Sequence, residues 1–205
     1  MSNPKPVFIV NSSMSLEQLL GAFLQAENDI VFLDEHSVIS SVHLELLTDY
    51  PRSASTALVG SSGEKNDVFV ADGQLQTVRT DTHKTSRVNR KFSGALLVSS
   101  KQRAQIKVAI ENAVSRNAIG HPLELFLVAL VRAAIPVETG QIKDAPFARS
   151  EDGPTKAVVQ KELEAINLPK LKLKMANRAS DGFYSVLVLR RLSKPLTWLA
   201  VKAGA

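Results

Sequence analysis

The sequence predicts an α/β domain built on a mixed, mostly parallel sheet flanked by helices, followed by a basic amphipathic helix at the C-terminus. Three observations carry that prediction. Short apolar runs and helix-period segments alternate from residue 7 to residue 166. The apolar runs are continuous rather than interleaved with polar residues, as strands covered on both faces require. One pair of β-rich runs is joined by Ala71-Asp72-Gly73, a hairpin signal that makes the sheet mixed.

The elements follow in order. Residues 7–10 (VFIV) form the first expected strand, and residues 15–26 (SLEQLLGAFLQA) a helix in which Ser15 and Gln18 fit a capping box. Residues 29–35 (DIVFLDE) read as a second strand. Residues 37–50 (SVISSVHLELLTDY) read as a helix that Pro51 stops, because proline offers no N–H and its ring crowds the preceding turn. Further strands are expected at 55–60 (STALVG), in the two halves of 67–80 (DVFVADGQLQTVRT) and at 94–100 (GALLVSS). Residues 101–116 place Ile106, Ala109, Ile110 and Val114 on one helix face. A more deeply buried helix is expected at 122–135, a strand at 136–142 and a last helix of the body at 155–166.

A chain of 205 residues with 44% hydrophobic and 22% charged residues suits one folded domain plus an appendage, divided here into 1–169 and 170–205. The absence of cysteine excludes disulfides, Cys-ligated zinc, iron–sulfur clusters and thiol chemistry, and it is compatible with a reducing cytoplasmic setting. No run approaches the roughly 20 apolar residues that cross a bilayer; the most apolar, Leu125 to Val131, is closed by Glu124 and Arg132. The N-terminus lacks the long apolar region and cleavage site of a secretory signal. The net charge of +5 is unevenly placed: from Lys170 onward eight Lys or Arg face only Asp181, a net of +7, which leaves the body at −2. An acidic body with 5% aromatic residues argues against a nucleic-acid surface.

Several segments could carry chemistry. In VFLDEHSVIS, Asp34, Glu35 and His36 stand at the carboxyl end of an expected parallel strand, where open α/β sheets bind ligands and an aspartate can hold magnesium; the alternative is an acidic first turn of a helix. The segment 79–94 gathers Arg79, His83, Lys84, Arg87, Arg90 and Lys91, either as an anion clamp or as a solvated loop. The two glycines of LVGSSGEKND (58–67) open no helix, so a surface loop is the plainer reading than a phosphate cradle. His36, His43, His83 and His121 have no second ligand at metal spacing and are expected in surface or capping roles. In the tail, Leu192, Leu196, Leu199 and Ala203 share one helix face while Arg191, Lys194, Trp198 and Lys202 share another. That pattern fits a helix lying in a membrane interface as well as one packed on the domain's own core.

The tail SDGFYSVLVLRRLSKPLTWLAVKAG resembles the segment just before the first transmembrane helix of the CDP-alcohol phosphotransferases (phosphatidyltransferases), through Asp181-Gly182-Phe183, Arg190-Arg191, Ser193 and Ala203-Gly204. The likeness is to actinobacterial members and to archaeal fusions with inositol-phosphate cytidylyltransferase. Upstream, residues from about 29 onward are similar in order to a nucleotidyltransferase-like domain: a strand ending in an aspartate, a helix, a strand and hairpin, the Gly94-led strand of VNRKFSGALLVS, and the helix-then-strand segment ELFLVALVRAAIPVETGQI.

The resemblance implies a Rossmann-like nucleotidyltransferase-like fold, with Asp34 alone carried over, at the metal-binding position; independently, the strand-end crevice of an open α/β sheet puts any bound nucleotide or phosphate near Asp34 and the loop residues Arg87, Arg90 and Lys91. It implies a parent protein that uses magnesium and a CDP-alcohol and moves the phosphoalcohol to an alcohol acceptor, with CTP as the nucleotide of the related cytidylyltransferases. The expected partners are that protein's own transmembrane part, reached beyond Ala205, and an anionic membrane surface on the cytoplasmic side, met by Arg190, Arg191, Lys194, Trp198 and Lys202. No catalytic residue is assigned, because residues 1–28 carry neither the glycine-rich basic loop nor the following lysine of a working enzyme. A supporting, dimerising or regulatory module is therefore expected. An active magnesium-dependent nucleotidyltransferase and a peripheral protein bound to anionic lipid are the alternatives.

Overall fold

A computed structural model of the chain describes residues 5–48, 54–60, 66–80, 87–116 and 119–172. The tail carrying Arg190, Arg191, Lys194, Trp198 and Lys202 lies outside the described residues, as do Pro51, His83, Lys84 and residues 61–65 of the loop at 58–67. The chain divides into two compact units between Leu163 and Glu164. No helix among the described residues is long and apolar enough to cross a membrane.

The first unit is an α/β sandwich around one mixed sheet. Its strands are β1 (Val7–Val10), β2 (Ile30–Asp34), β4 (Ser55–Gly60), β5 (Val68–Ala71), β6 (Gln74–Val78), β7 (Lys91–Val98) and β8 (Val137–Ile142), in spatial order β1-β2-β7-β4-β8-β6-β5. Strands β1, β2, β4 and β8 share one direction, and β7 runs against them between β2 and β4. The β5–β6 hairpin joins the edge antiparallel, through Gln74 opposite Glu138. Its turn has Asp72 at φ 51° and Gly73 at φ 73°, the left-handed pair that a two-residue hairpin turn needs.

Helices α1 (Leu16–Gln25), α3 (Arg103–Val114) and α4 (Pro122–Arg132) cover one face. They bury Leu19 and Phe23, Ile106 and Ile110, and Phe126 and Leu127 against Phe32, Val59, Leu96 and Val98 of the sheet. The capping box of α1 is present: the Gln18 N–H donates to Ser15 Oγ at 3.3 Å and the Ser15 N–H to Gln18 Oε1 at 2.8 Å. Helix α2 (Ser41–Thr48) covers the other face, burying Leu47 over Val31, Leu58 and Leu97.

The expected helix over 37–50 is corrected at its start. Ser37–Val38 form a short strand, β3, paired antiparallel with Ala148–Arg149, β9, which the sequence pattern does not signal. The helix begins only at Ser41, because Ser40 Oγ accepts the His43 N–H at 3.3 Å and so caps it. His43 is fully buried and shares a 2.6 Å hydrogen bond with the Ser40 hydroxyl; burial pushes its pKa down to about 4, against the pull of Asp144. The expected strand at 94–100 starts earlier, at Lys91, and Gly94 lies inside it. Helix α5 spans Gly153–Ala165.

At the end of the sheet opposite the strand ends discussed below, Gln102 ties three segments. Its Oε1 accepts from the Ser55 N–H and hydroxyl at 2.9 and 2.8 Å, and its Nε2 donates to the Pro136 carbonyl at 3.1 Å.

Candidate functional site

The carboxyl ends of the parallel strands border a polar cavity of about 430 Å³. Asp34 closes β2 there, 2% exposed. Its Oδ1 accepts the His36 N–H at 2.8 Å, which turns the chain sharply into β3. Its Oδ2 accepts from Arg149 Nε at 2.6 Å, and Arg149 Nη1 donates to Glu124 Oε1 at 2.7 Å. One guanidinium therefore bridges the end of β2 and the first turn of α4. Burial opposes the charge on Arg149, but Glu124 and Asp34 outweigh it and hold its pKa above the ordinary value. The Phe92 ring lies 5.4 Å from the guanidinium carbon.

Gly94 makes this approach fit. Its φ is +85°, and a Cβ there would meet Ser37 Oγ, Asp34 Cβ at 2.9 Å and Arg149 Cδ at 3.2 Å. The β4–β7 register also shifts here, between Ala57 and Val59, so β7 bulges at the residue that must carry no side chain.

Around this centre the cavity is lined by both signs of charge. His121, the residue before α4, sets its Nε2 3.5 Å from Asp34 Oδ2, and neither ring nitrogen has a hydrogen-bond partner among the described residues. Burial lowers its pKa despite the Asp34 carboxylate, with the Arg149 guanidinium acting in the same direction as burial. Asp67 accepts the Phe92 N–H at 2.6 Å; burial pushes its carboxyl up to about 6, against that hydrogen bond and Arg149. Arg79 and Thr80 follow β6, Lys91 opens β7, and Ser150 and Glu151 follow β9. His36 Nε2 stands 3.6 Å from Glu35 and 3.9 Å from Glu151.

The turn between β1 and α1 also reaches this end of the sheet. Doubly wound folds commonly hold phosphate at such a turn with unpaired backbone amides. Here the amides are taken by the protein itself. The N–H of Ser12 donates to Glu35 Oε1 at 3.3 Å, that of Ser13 to Asn11 Oδ1 at 3.1 Å, that of Met14 to the Asn11 carbonyl at 3.2 Å and that of Ser15 to Gln18 at 2.8 Å. The Glu35 carboxylate beside the turn would add repulsion to any phosphate placed there.

A magnesium ion does not fit at Asp34 as the side chains stand. An ion on Oδ2 would lie about 4 Å from the Arg149 guanidinium, and the repulsion between charges of +2 and +1 at that separation is about 8 kcal/mol at the effective dielectric of a protein surface. Asp34, Arg149 and Glu124 together carry one negative charge, less than two free carboxylates would offer. Among the described residues no group of three His, Cys, Asp or Glu side chains is placed to hold a metal ion.

The structure brings Asp34 and Lys91 to one cavity, with Arg79 and His36. Arg87 and Arg90 do not line it: the Arg90 guanidinium donates to the Asn89 carbonyl at 2.7 Å, and the Arg87 carbonyl accepts from Thr77 Oγ1 at 3.3 Å. The expected surface or capping role fails for His121, which faces Asp34, and for His43, which lies in the core. Sequence reasoning missed Arg149, Glu124 and Asp67. Glu124 carried a local signal, an acid in a first helical turn after His-Pro. Arg149 carried none, since only the β3–β9 pairing places it beside Asp34.

The sheet order, the helical layers and the strand-end cavity give the chain a nucleotidyltransferase-like fold. Solved structures that share it include the following two. One is the inositol-1-phosphate CTP transferase from T. maritima, with a TM-score of 0.52 and 11% identity over 73% of this chain and 62% of that one. The other is the CTP:phosphocholine cytidylyltransferase from Streptococcus pneumoniae, with a TM-score of 0.54 and 14% identity over 74% of this chain and 63% of that one. The chain thus spans less than two thirds of the length of each. No protein-family model and no curated protein matches it.

Proposed function

We propose that the chain is a non-catalytic nucleotidyltransferase-fold module of a membrane CDP-alcohol phosphotransferase, held at the cytoplasmic face of the membrane by its basic tail. The membrane part of such a protein transfers a phosphoalcohol from a CDP-linked donor to an alcohol. The observation that carries the non-catalytic reading is the closed turn after β1. Nucleotidyl transfer needs the phosphates held and their charge neutralised, and the N–H groups of Ser12 to Ser15 all donate within the protein. The ion pair of Asp34 with Arg149 supports the same reading. The membrane half of the proposal draws on the tail sequence alone, from Asp181 to Ala205.

Incubation of the protein with CTP, magnesium and a panel of phosphoalcohols tests the reading: no pyrophosphate is expected above a blank. The second reading, an active magnesium-dependent cytidylyltransferase, is favoured by the two CTP-using enzymes that share the fold. Turnover that disappears in Asp34→Ala would establish it and end the first.

A further inference from the structure

Asp34 ends β2 at the edge of the sheet where an α/β fold offers a carboxylate to a cation carried by the ligand. In this chain a protein cation already stands there, and several parts of the fold hold it in place. The pairing of Ser37 with Arg149 and of Val38 with Ala148 sets the Arg149 backbone across the end of β2. Gly94 leaves room for its stem, Phe92 lies beside the guanidinium, and two carboxylates take its Nε and Nη1 at 2.6 and 2.7 Å. The side chain is 12% exposed. A surface arginine that happened to meet an acid would have none of this enclosure, and its ion pair would be weak.

We propose that Arg149 is a built-in counter-cation, standing in for a divalent ion at Asp34 and Glu124, so that the cavity meets its ligand without a metal. The two carboxylates it bridges are then a latent divalent-cation site, closed only by the guanidinium. This inference deepens the non-catalytic reading and rests on it: a site whose cation is covalently part of the chain can hold charge in place but cannot bring in a metal together with a nucleotide. The chemistry also sets a direction of change. Replacing Arg149 by an acid would put three carboxylates where two now face one guanidinium, which is the oxygen-rich donor set that manganese and magnesium prefer.

The test is manganese binding to the full chain with no nucleotide present, read from the fall in the free-ion paramagnetic resonance signal and from thermal melting. The wild-type protein and Asp34→Asn are expected to behave alike, with no saturable binding that depends on Asp34. Arg149→Asp is expected to bind a single manganese ion at least about tenfold more tightly than wild type, and manganese should raise its melting temperature but not that of wild type. Loss of this binding in Arg149→Asp combined with Asp34→Asn would tie it to the site. The proposal is overturned if wild type binds one manganese ion that Asp34→Asn removes, or if folded Arg149→Asp binds no better than wild type, the result expected of a purely structural ion pair. If Arg149→Asp does not fold, Arg149→Gln carries the same comparison, and manganese binding by wild type that Asp34→Asn removes overturns the proposal without either. Pyrophosphate release from CTP would sink the non-catalytic reading and this inference with it, whereas manganese held at Asp34 of the wild type without such release would sink this inference alone.

Discussion

Replacing Asp67 by asparagine should stabilise the protein at neutral pH, although it removes a charged residue from a cavity that contains cations. The Asp67 carboxyl is pushed up to about 6 from its ordinary value of 3.8, chiefly by burial. An acid whose folded pKa is raised adds stability below its unfolded pKa and loses that contribution as the pH rises through its folded pKa. Above pH 6 the folded protein therefore carries the full cost of a poorly solvated carboxylate. A rise of that size corresponds to about 3 kcal/mol as an upper bound, and partial exposure reduces the expected gain to about 1–2 kcal/mol. Asparagine keeps the Phe92 N–H partner through its own oxygen, and the backbone at 67 is pinned by the Arg90 carbonyl at 3.0 Å and the Arg79 N–H at 2.6 Å, so the position need not move. Urea denaturation of both proteins at pH 7.5 and pH 4.5 checks the argument. The gain should be present at the higher pH and small at the lower. Equal stability at pH 7.5, or the same gain at both values, would show that burial does not control this carboxyl.

His43 has the opposite sign: its pKa falls from 6.5 to about 4, so its stabilising contribution is complete above 6.5 and is lost as the pH falls toward 4. Stability should drop by about 2 kcal/mol between pH 6.5 and 5 from this group alone, and denaturation curves of His43→Gln should show a flatter pH dependence over that range. Gln102→Leu leaves the buried Ser55 N–H and the Pro136 carbonyl without their partner and should cost about 3 kcal/mol in denaturant titrations, with a smaller loss for Gln102→Glu at acid pH. Gly94→Ala combines a left-handed φ of +85° with a clash against Ser37 and should destabilise by about 3 kcal/mol or more, while Gly73→Ala, with open space at its Cβ position, should cost about 1–2 kcal/mol from its φ alone. In the tail, each basic residue near an anionic surface should contribute about 1 kcal/mol; changing Arg190, Arg191 and Lys194 to Glu should abolish a preference for anionic over neutral vesicles in co-sedimentation.

Much of the layer structure is legible in the sequence because each strand and helix carries its own period. VFIV, DIVFLDE and STALVG are continuous apolar runs, and Asp72-Gly73 marks the hairpin through a backbone requirement that few other residue pairs meet. Asp34 is legible as a candidate because its place at a strand end follows from the element order. The short strands β3 and β9 are not legible: two residues give no period, and their pairing spans more than a hundred positions of sequence. Ser40 falls near the start of the helical pattern over 37–50, and its capping bond, which moves the helix start to Ser41, is a local competitor that the pattern does not reveal. The partners of Asp34 are hidden for the same reason as β9, since Arg149 and Glu124 meet it only through tertiary structure.

The central claim is that the turn between β1 and α1 does not hold phosphate, and amide nitrogen–proton correlation spectra during a titration with CTP and magnesium test it most directly. The N–H groups of Ser12, Ser13, Met14 and Ser15 already have partners within the protein, so their signals should stay in place across the titration. Saturable shifts concentrated on those four amides would mean that the turn opens to cradle a nucleotide, and the non-catalytic account would be contradicted at its base.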